Sequence, residues 1–357
     1  MFKPLQISNL TIRRPIVQGG MGVGISLSGL ASAVANEGGC GVISSAGLGL
    51  IYHNLSSNYL EASILGLKEE IRKAREKTQG VIGVNIMQAL SNFSDMVKTA
   101  ISEKVDVIFV GAGLPLDLPS YITEGCTTKL APIVSSAKAF KVIAKKWMDK
   151  YSYAPDAVVF EGPKAGGHLG FKSDQIFDEN FSLEKVLPEV IDETRAFGAQ
   201  YGRHIPVIAG GGLCTAADVK RVLGMGAEGV QMGSIFVPTE ECDADIAFKQ
   251  SYLNAAQSDI TIINSPVGMP GRALLNDFVR QAKSGCKKPG VCTYKCLKSC
   301  DYTKVDYCIM KALFFAFKGK LENGFSFIGA NGYKADKIES VKTVVERLFK
   351  QDEPLPG

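Results

Sequence analysis

IPVIAGGGLCTAADVKRVLGMGAEGVQMGSIF, residues Ile205–Phe236, packs two apolar runs and a helical stretch into 32 residues. The first run, Ile205–Gly211, leads into three glycines, Gly210-Gly211-Gly212. A helix is expected over Ala216–Met225, and a second run, Gly229–Phe236, contains Gly233-Ser234. Neither run alternates apolar with polar residues, the pattern of strands buried on both faces in a parallel sheet. Glycines leave backbone N–H groups uncovered, and a helix N-terminus adds partial positive charge. Two such loops on consecutive strands, at the same end, form an anion site, and in many barrels the loops after strands seven and eight hold a phosphate.

Working outward, six more runs of the same kind precede this one: Pro15–Gln18, Gly41–Ser45, Val81–Met87, Val105–Ala112, Lys129–Ser135 and Ala157–Gly162. Helices are expected at Leu60–Lys77, Asp95–Glu103, Ala137–Lys150, Leu183–Ala199 and Asp243–Ala256. Eight strand-then-helix units predict a (β/α)8 TIM barrel of the α/β class, an open doubly wound sheet being the competitor. In a barrel, chemistry belongs on the loops that follow the strands. Glycines gather there, at Gly19-Gly20-Met21-Gly22, Gly111-Ala112-Gly113 and Gly166-Gly167 as well as in the two phosphate loops. Their concentration at one end suggests that backbone approaches a ligand closely.

The division expected is a barrel over 1–257, a cysteine-containing helical insertion or cap over 258–333, and a closing helix in 334–357 that packs back on the barrel. With 46% hydrophobic and 21% charged residues, the 357-residue chain can bury a large core, and a net charge of +4 without a basic run argues against nucleic acid. No apolar run approaches the roughly 20 residues that span a bilayer, and the start carries no signal-peptide core. The protein is expected in the cytoplasm, with its nine cysteines as free thiols or metal ligands.

Three further features point to chemistry. Met21 beside small residues gives a thin, polarizable wall for a flat ring, and Asn85, at the end of VIGVN, offers a donor and an acceptor to a polar ring edge. His168, one of only three histidines, follows the Gly166-Gly167 hinge in EGPKAGGHLGF, Glu161–Phe171. An imidazole with its ordinary value near 6.5 is expected to act as a base near neutral pH. His53 and His204 sit in ordinary connections and receive no role.

The order GGMG, GAGLP, EGPKAGGHLG, IAGGG, GVQMGS resembles the nitronate monooxygenase (2-nitropropane dioxygenase-like) family, and equally its sister group, the flavin-dependent enoyl-acyl-carrier-protein reductases. The likeness covers roughly Pro4–Val237. It implies an FMN-binding barrel in which Gly20, Met21 and Gly22 lie along the flavin ring and Asn85 meets its polar edge. It also implies that Gly211, Gly212, Gly233 and Ser234 hold the phosphate, and that Gly167 and His168 face the reactive side. The implied activity is oxidation of alkyl nitronates with O2. The reductase reading would add NAD(P)H, and a non-catalytic flavin-binding module is a third. A small-molecule substrate is the partner expected, with a homodimer left open. Lys164 stands where the family has an acidic residue, and its charge is expected to disfavour protonated His168. A looser likeness to inosine-monophosphate-dehydrogenase-type barrels lacks its nucleophile, since Cys126 precedes the fifth strand in an unrelated context.

Five cysteines crowd CKKPGVCTYKCLKSCDYTKVDYC: Cys286, Cys292, Cys296, Cys300 and Cys308. Cys292, Cys296 and Cys300 recur every four residues, which predicts one face of a helix. There is no C-x2-C pair, so neither common zinc nor ferredoxin spacing is met, and a metal, a cluster or free thiols all stay open.

Overall fold

The computed structural model describes residues 2–350; the end of the expected closing segment, 351–357, lies outside them. A hairpin comes first, β1 (Leu5–Ile7) and β2 (Leu10–Ile12). Eight strands then close into a parallel barrel: β3 (Ile16–Gln18), β4 (Cys40–Ser44), β5 (Val81–Met87), β6 (Val107–Gly111), β7 (Lys129–Val134), β8 (Val158–Glu161), β10 (Val207–Gly210) and β11 (Gly229–Met232). Strand β11 pairs with β3, which completes the ring. Each barrel strand falls within, or one residue outside, one of the eight apolar runs, and the TIM-barrel expectation holds.

The hairpin was not anticipated. Leu5, Ile7 and Ile12 are buried with Val17, Val42, Phe109, Val159 and Ile208 in the barrel interior. Leu5 reaches the start of β11, where a Cβ on Gly229 would meet its side chain at 2.9 Å. The hairpin therefore plugs the N-terminal end, and only the opposite mouth is left for a ligand.

The helical layer is less regular than expected. It comprises α1 (Ser28–Asn36), α3 (Tyr59–Lys77), α4 (Phe93–Ser102), α5 (Ala137–Tyr151), α6 (Leu183–Tyr201), α7 (Ala216–Gly224) and α11 (Val341–Phe349), with a short α2 (Leu48–Ile51) before α3. Between β6 and β7 only a 3-10 turn, Leu118–Tyr121, takes a helix's place. Helix α1 shows no polar face in sequence because it is covered on most sides: Leu30, Ala31, Ser32, Val34 and Ala35 are all buried. It also lacks a cap of its own. Asp243 accepts from the N–H groups of Leu27, Gly29 and Leu30, and Glu70 from that of Ser28, so distant carboxylates satisfy the orphan donors.

After β11 the chain leaves the ring and returns only as α11, which packs against α1 and α7. The excursion carries α8 (Ile246–Leu253), the hairpin β12 (Ile260–Asn264) and β13 (Pro270–Leu274), α9 (Asp277–Lys283) and α10 (Ile309–Phe317). Helix α8, expected at Asp243–Ala256, buries Phe248 and Tyr252 with Leu274, Phe317 and Ile328 and with Ile25 and Val237 from the barrel side. A two-residue strand, β9 (Gly167–His168), adds to the hairpin edge, with His168 opposite Gly271 and Gly167 opposite Arg272. The cysteines do not share a helix face: residues 284–308 contain no helix or strand, and Lys295 is left-handed with φ 44°.

Candidate flavin site and its wall

A cavity of about 510 Å³ opens at the C-terminal ends of the barrel strands. Gly20, Met21 and Gly22 line it from the loop after β3, and Asn85 from β5. Gly167 and His168 line it from β9. Gly211, Gly212, Gly233 and Ser234 line it from the loops after β10 and β11. The structure thus brings every residue assigned to the flavin site in sequence to one cavity.

At one wall, backbone and side chain meet without slack. A Cβ on Gly20 would lie 2.3 Å from Asn85 Cβ, so the loop after β3 can rest on β5 only with glycine there. Met21 lies beside Gly233, its Sδ 3.3 Å from where a Cβ on that residue would sit. The wall is flat, soft and free of charge.

At the other end, Gly211 and Gly212 have φ of 104° and 79°. The N–H groups of Gly212, Leu213 and Gly233 donate to no acceptor among the described residues. Helix α7 contributes less than expected, because Asp218 already accepts from the N–H groups of Cys214 and Thr215 in a capping box. Ser234 is also engaged: its Oγ accepts the Gly329 N–H at 2.8 Å and lies beside the Tyr252 hydroxyl. Gly329 begins a third loop, GANGY, that folds over this end, and Asn331 Nδ2 donates to Gly212 O at 2.6 Å. Lys334 follows it and lines the same cavity.

His168 differs from expectation. Its Nε2 is 2.7 Å from Ser265 Oγ, and its ring packs edge-on against Phe327, with centroids 5.1 Å apart. Burial alone holds the imidazole down to about 4, because the protein offers no charge to compensate the lost water. The imidazole thus sits below the ordinary value near 6.5, and Lys164 is not the cause. That side chain is exposed and packs on Gly212, and it is not among the groups acting on His168.

Two polar groups at this site were missed in sequence. Glu161 ends β8 and faces the cavity with no hydrogen-bond or ionic partner among the described residues, and burial pushes its carboxyl up to about 7. Its signal was legible, since VVFE places one acid at the end of an otherwise apolar strand. Arg272, buried in β13, donates from Nη2 to Pro163 O at 2.8 Å and from Nε to Ala165 O at 3.2 Å. It thereby fixes the loop that carries His168. Nothing local marked this role, because its partners are about 108 residues away.

The sequence profile of the nitronate monooxygenase family matches residues 3–351. The chain belongs to that family. It is 30% identical, over 78% of its length and 68% of the relative's, to the (3aS,4S,5R,7aS)-5-hydroxy-7a-methyl-1-oxo-octahydro-1H-indene-4-carboxyl-CoA dehydrogenase of Mycobacterium tuberculosis. A probable nitronate monooxygenase of Bacillus subtilis is 26% identical over 77% of this chain and 80% of that one. Among solved structures, FabK from Thermotoga maritima superposes with a TM-score of 0.72 at 27% identity, covering 95% of this chain and 92% of that one. The protein is a flavin-dependent oxidoreductase with a small-molecule substrate. Among the described residues, no helix is long and apolar enough to cross a membrane.

The residues present fit a flavin. A ring requires a flat uncharged wall, which Gly20, Met21 and Gly22 provide, and its anionic tail requires unpaired donors, which Gly212, Leu213 and Gly233 provide.

Proposed function

We propose that the protein is an FMN-dependent oxidoreductase of the nitronate monooxygenase type, acting on alkyl nitronates and their parent nitroalkanes with O2. FMN is favoured over larger flavins because the unpaired donors, Gly212, Leu213 and Gly233, cluster at one end of the cavity, as a single terminal phosphate requires. Bound there, the flavin supplies the acceptor for the substrate's electrons.

The observation that carries the reading is Glu161. A carboxyl at about 7, unpaired and facing the cavity, is matched to removing an α-proton near neutral pH. His168, at about 4, is too weak a base for that step and stays neutral, so it serves as a hydrogen-bonding group for the substrate. Ser265 Oγ, which also accepts the Val267 N–H, is the hydrogen-bond partner of His168 Nε2 and holds the ring in place. Arg272 holds the loop between Glu161 and His168 in place.

A second reading, reduction of an enoyl thioester with NAD(P)H, takes its thioester class from the relative named for a carboxyl-CoA substrate. In that reductive direction a protonated Glu161 would deliver, instead of take, a proton at the thioester substrate. Anaerobic mixing of the purified flavoprotein separates the two. Bleaching of the flavin by a nitronate on the catalytic timescale, with NADH, NADPH and acyl-CoA thioesters inert, supports the first reading. Bleaching by NAD(P)H followed by recovery with an enoyl thioester overturns it.

A further inference from the structure

The cysteine-rich segment is not absorbed by the flavin chemistry. Residues 284–308 run between α9 and α10 without regular structure, and irregular connections beyond about 12–15 residues are uncommon unless they bind something or stay mobile. This one is pinned at its middle. Leu297 bridges to Leu90, Ser91 N–H donates to Cys296 O, and Lys298 N–H donates to Ala89 O. The Tyr294 ring packs on Tyr59, with centroids 5.5 Å apart.

Pinning brings thiols together. Cys296 is buried in an apolar cluster that Cys300 and Cys308 also join. Cys292, Cys300 and Cys308 each lie within electrostatic reach of Cys296, and Cys292 and Cys308 within reach of Cys300. None of the four forms a disulfide. Cys286 stands apart, exposed and accepting only from the Ser284 hydroxyl. Elsewhere in the chain, the buried Cys40 and Cys242 each sit in a separate apolar cluster.

We propose that Cys292, Cys296, Cys300 and Cys308 hold an iron–sulfur cluster of the four-cysteine [4Fe–4S] class. Among the described residues, no three cysteine, histidine or acidic groups converge closely enough to share a single ion, which argues against a zinc site. A cubane cluster spreads its four thiolates farther apart than one ion does, and soft thiolate sulfur is its favoured ligand. The backbone of the loop is suited to it as well: from 287 to 303, the N–H groups of Lys298 and Thr303 alone find acceptors among the described residues, leaving others for the cluster sulfurs. The site adjoins the flavin cavity. Cys308 is the N-cap of α10, whose Leu313 lines that cavity roughly 7 Å further along the helix axis. Met87, another cavity residue, packs in the same apolar cluster as the thiols.

The test is made on the full chain, produced and purified without oxygen and reconstituted with ferrous iron and sulfide under a thiol reductant. About four irons and four acid-labile sulfides per chain are expected, with a paramagnetic signal on dithionite reduction that is distinct from any flavin radical. Cys296→Ser and Cys300→Ser should each lose most of the iron while keeping the wild-type flavin content, which reports folding. Cys286→Ser should keep both. Native mass spectrometry of the unmutated chain gives the cluster mass without relying on any variant. Less than about half an iron per chain after reconstitution, zinc in its place, or iron retained in Cys300→Ser would overturn the proposal. None of these readouts depends on the flavin substrate, so the proposed activity stands or falls separately.

Discussion

Glu161→Gln is the most informative single change, because its effects on stability and on turnover follow from the same carboxyl. Free in water this group titrates at 4.5; in the cavity burial raises it to about 7. Ionising it there, fully shielded, costs about 3 kcal/mol at about 1.4 kcal/mol per tenfold. The carboxylate faces an open cavity, so water screens the charge and about 1–2 kcal/mol is expected in practice. The sign follows from proton linkage. Between about 4.5 and about 7 the folded chain binds more protons than the unfolded one, so stability falls as pH rises through that window and is level on either side. Glutamine keeps the shape and cannot ionise. The melting temperature of Glu161→Gln, compared with wild type at equal saturating FMN, should therefore climb with pH. The difference should go from near zero around pH 4.5 to about 1–3 °C above pH 7 for a chain of this length. Stopped-flow flavin bleaching supplies the second half: turnover of a neutral nitroalkane should fall at least about 100-fold, the usual contribution of a general base, and that of the preformed nitronate should change little. A melting difference that is flat from pH 5 to 8 would show that the carboxyl is not raised, and the base assignment would go with it.

Three other outcomes follow from the same geometry. His168 is held low, so the unfolded chain protonates first between about 4 and 6.5; wild type should lose stability as pH falls through that window, and His168→Asn, followed by thermal melts, should not. Gly212→Ala puts a Cβ 2.7 Å from Lys164 Cβ at φ 79°, a strain of about 1–2 kcal/mol; the FMN dissociation constant from fluorescence titration should rise about tenfold or more, and an unchanged value would remove Gly212 from the phosphate cradle. Arg272→Met leaves the carbonyls of Pro163 and Ala165 buried without donors, about 2–4 kcal/mol by denaturant titration, with partial rescue in Arg272→Lys.

What could be read in the sequence was whatever is local. The barrel strands announce themselves because each is buried on both faces, so the apolar run and the strand coincide; β5 matches its run residue for residue. The first phosphate loop announces itself through Gly211 and Gly212, both required by positive φ. What escaped notice depends on contacts between distant residues. Helix α1 carries no amphipathic pattern because α3, α11 and β4 cover it, and its caps come from Glu70 and Asp243, 42 and 213–216 positions away. The cysteines read as a helix by spacing, yet the segment is drawn into a loop by its bonds to residues 88–91, about 205 positions earlier. The pKa of His168 belongs to the same class. A residue's identity gives its ordinary value, and only the packing of Phe327 and Ser265 onto β9, by chain that enters the fold about 100 and 160 residues later, decides how far it moves. Hence a motif can locate an imidazole without deciding what that imidazole does. On the proposed reading, the proton at the mouth of this barrel is taken by the glutamate seven positions before it, whose environment the later chain completes.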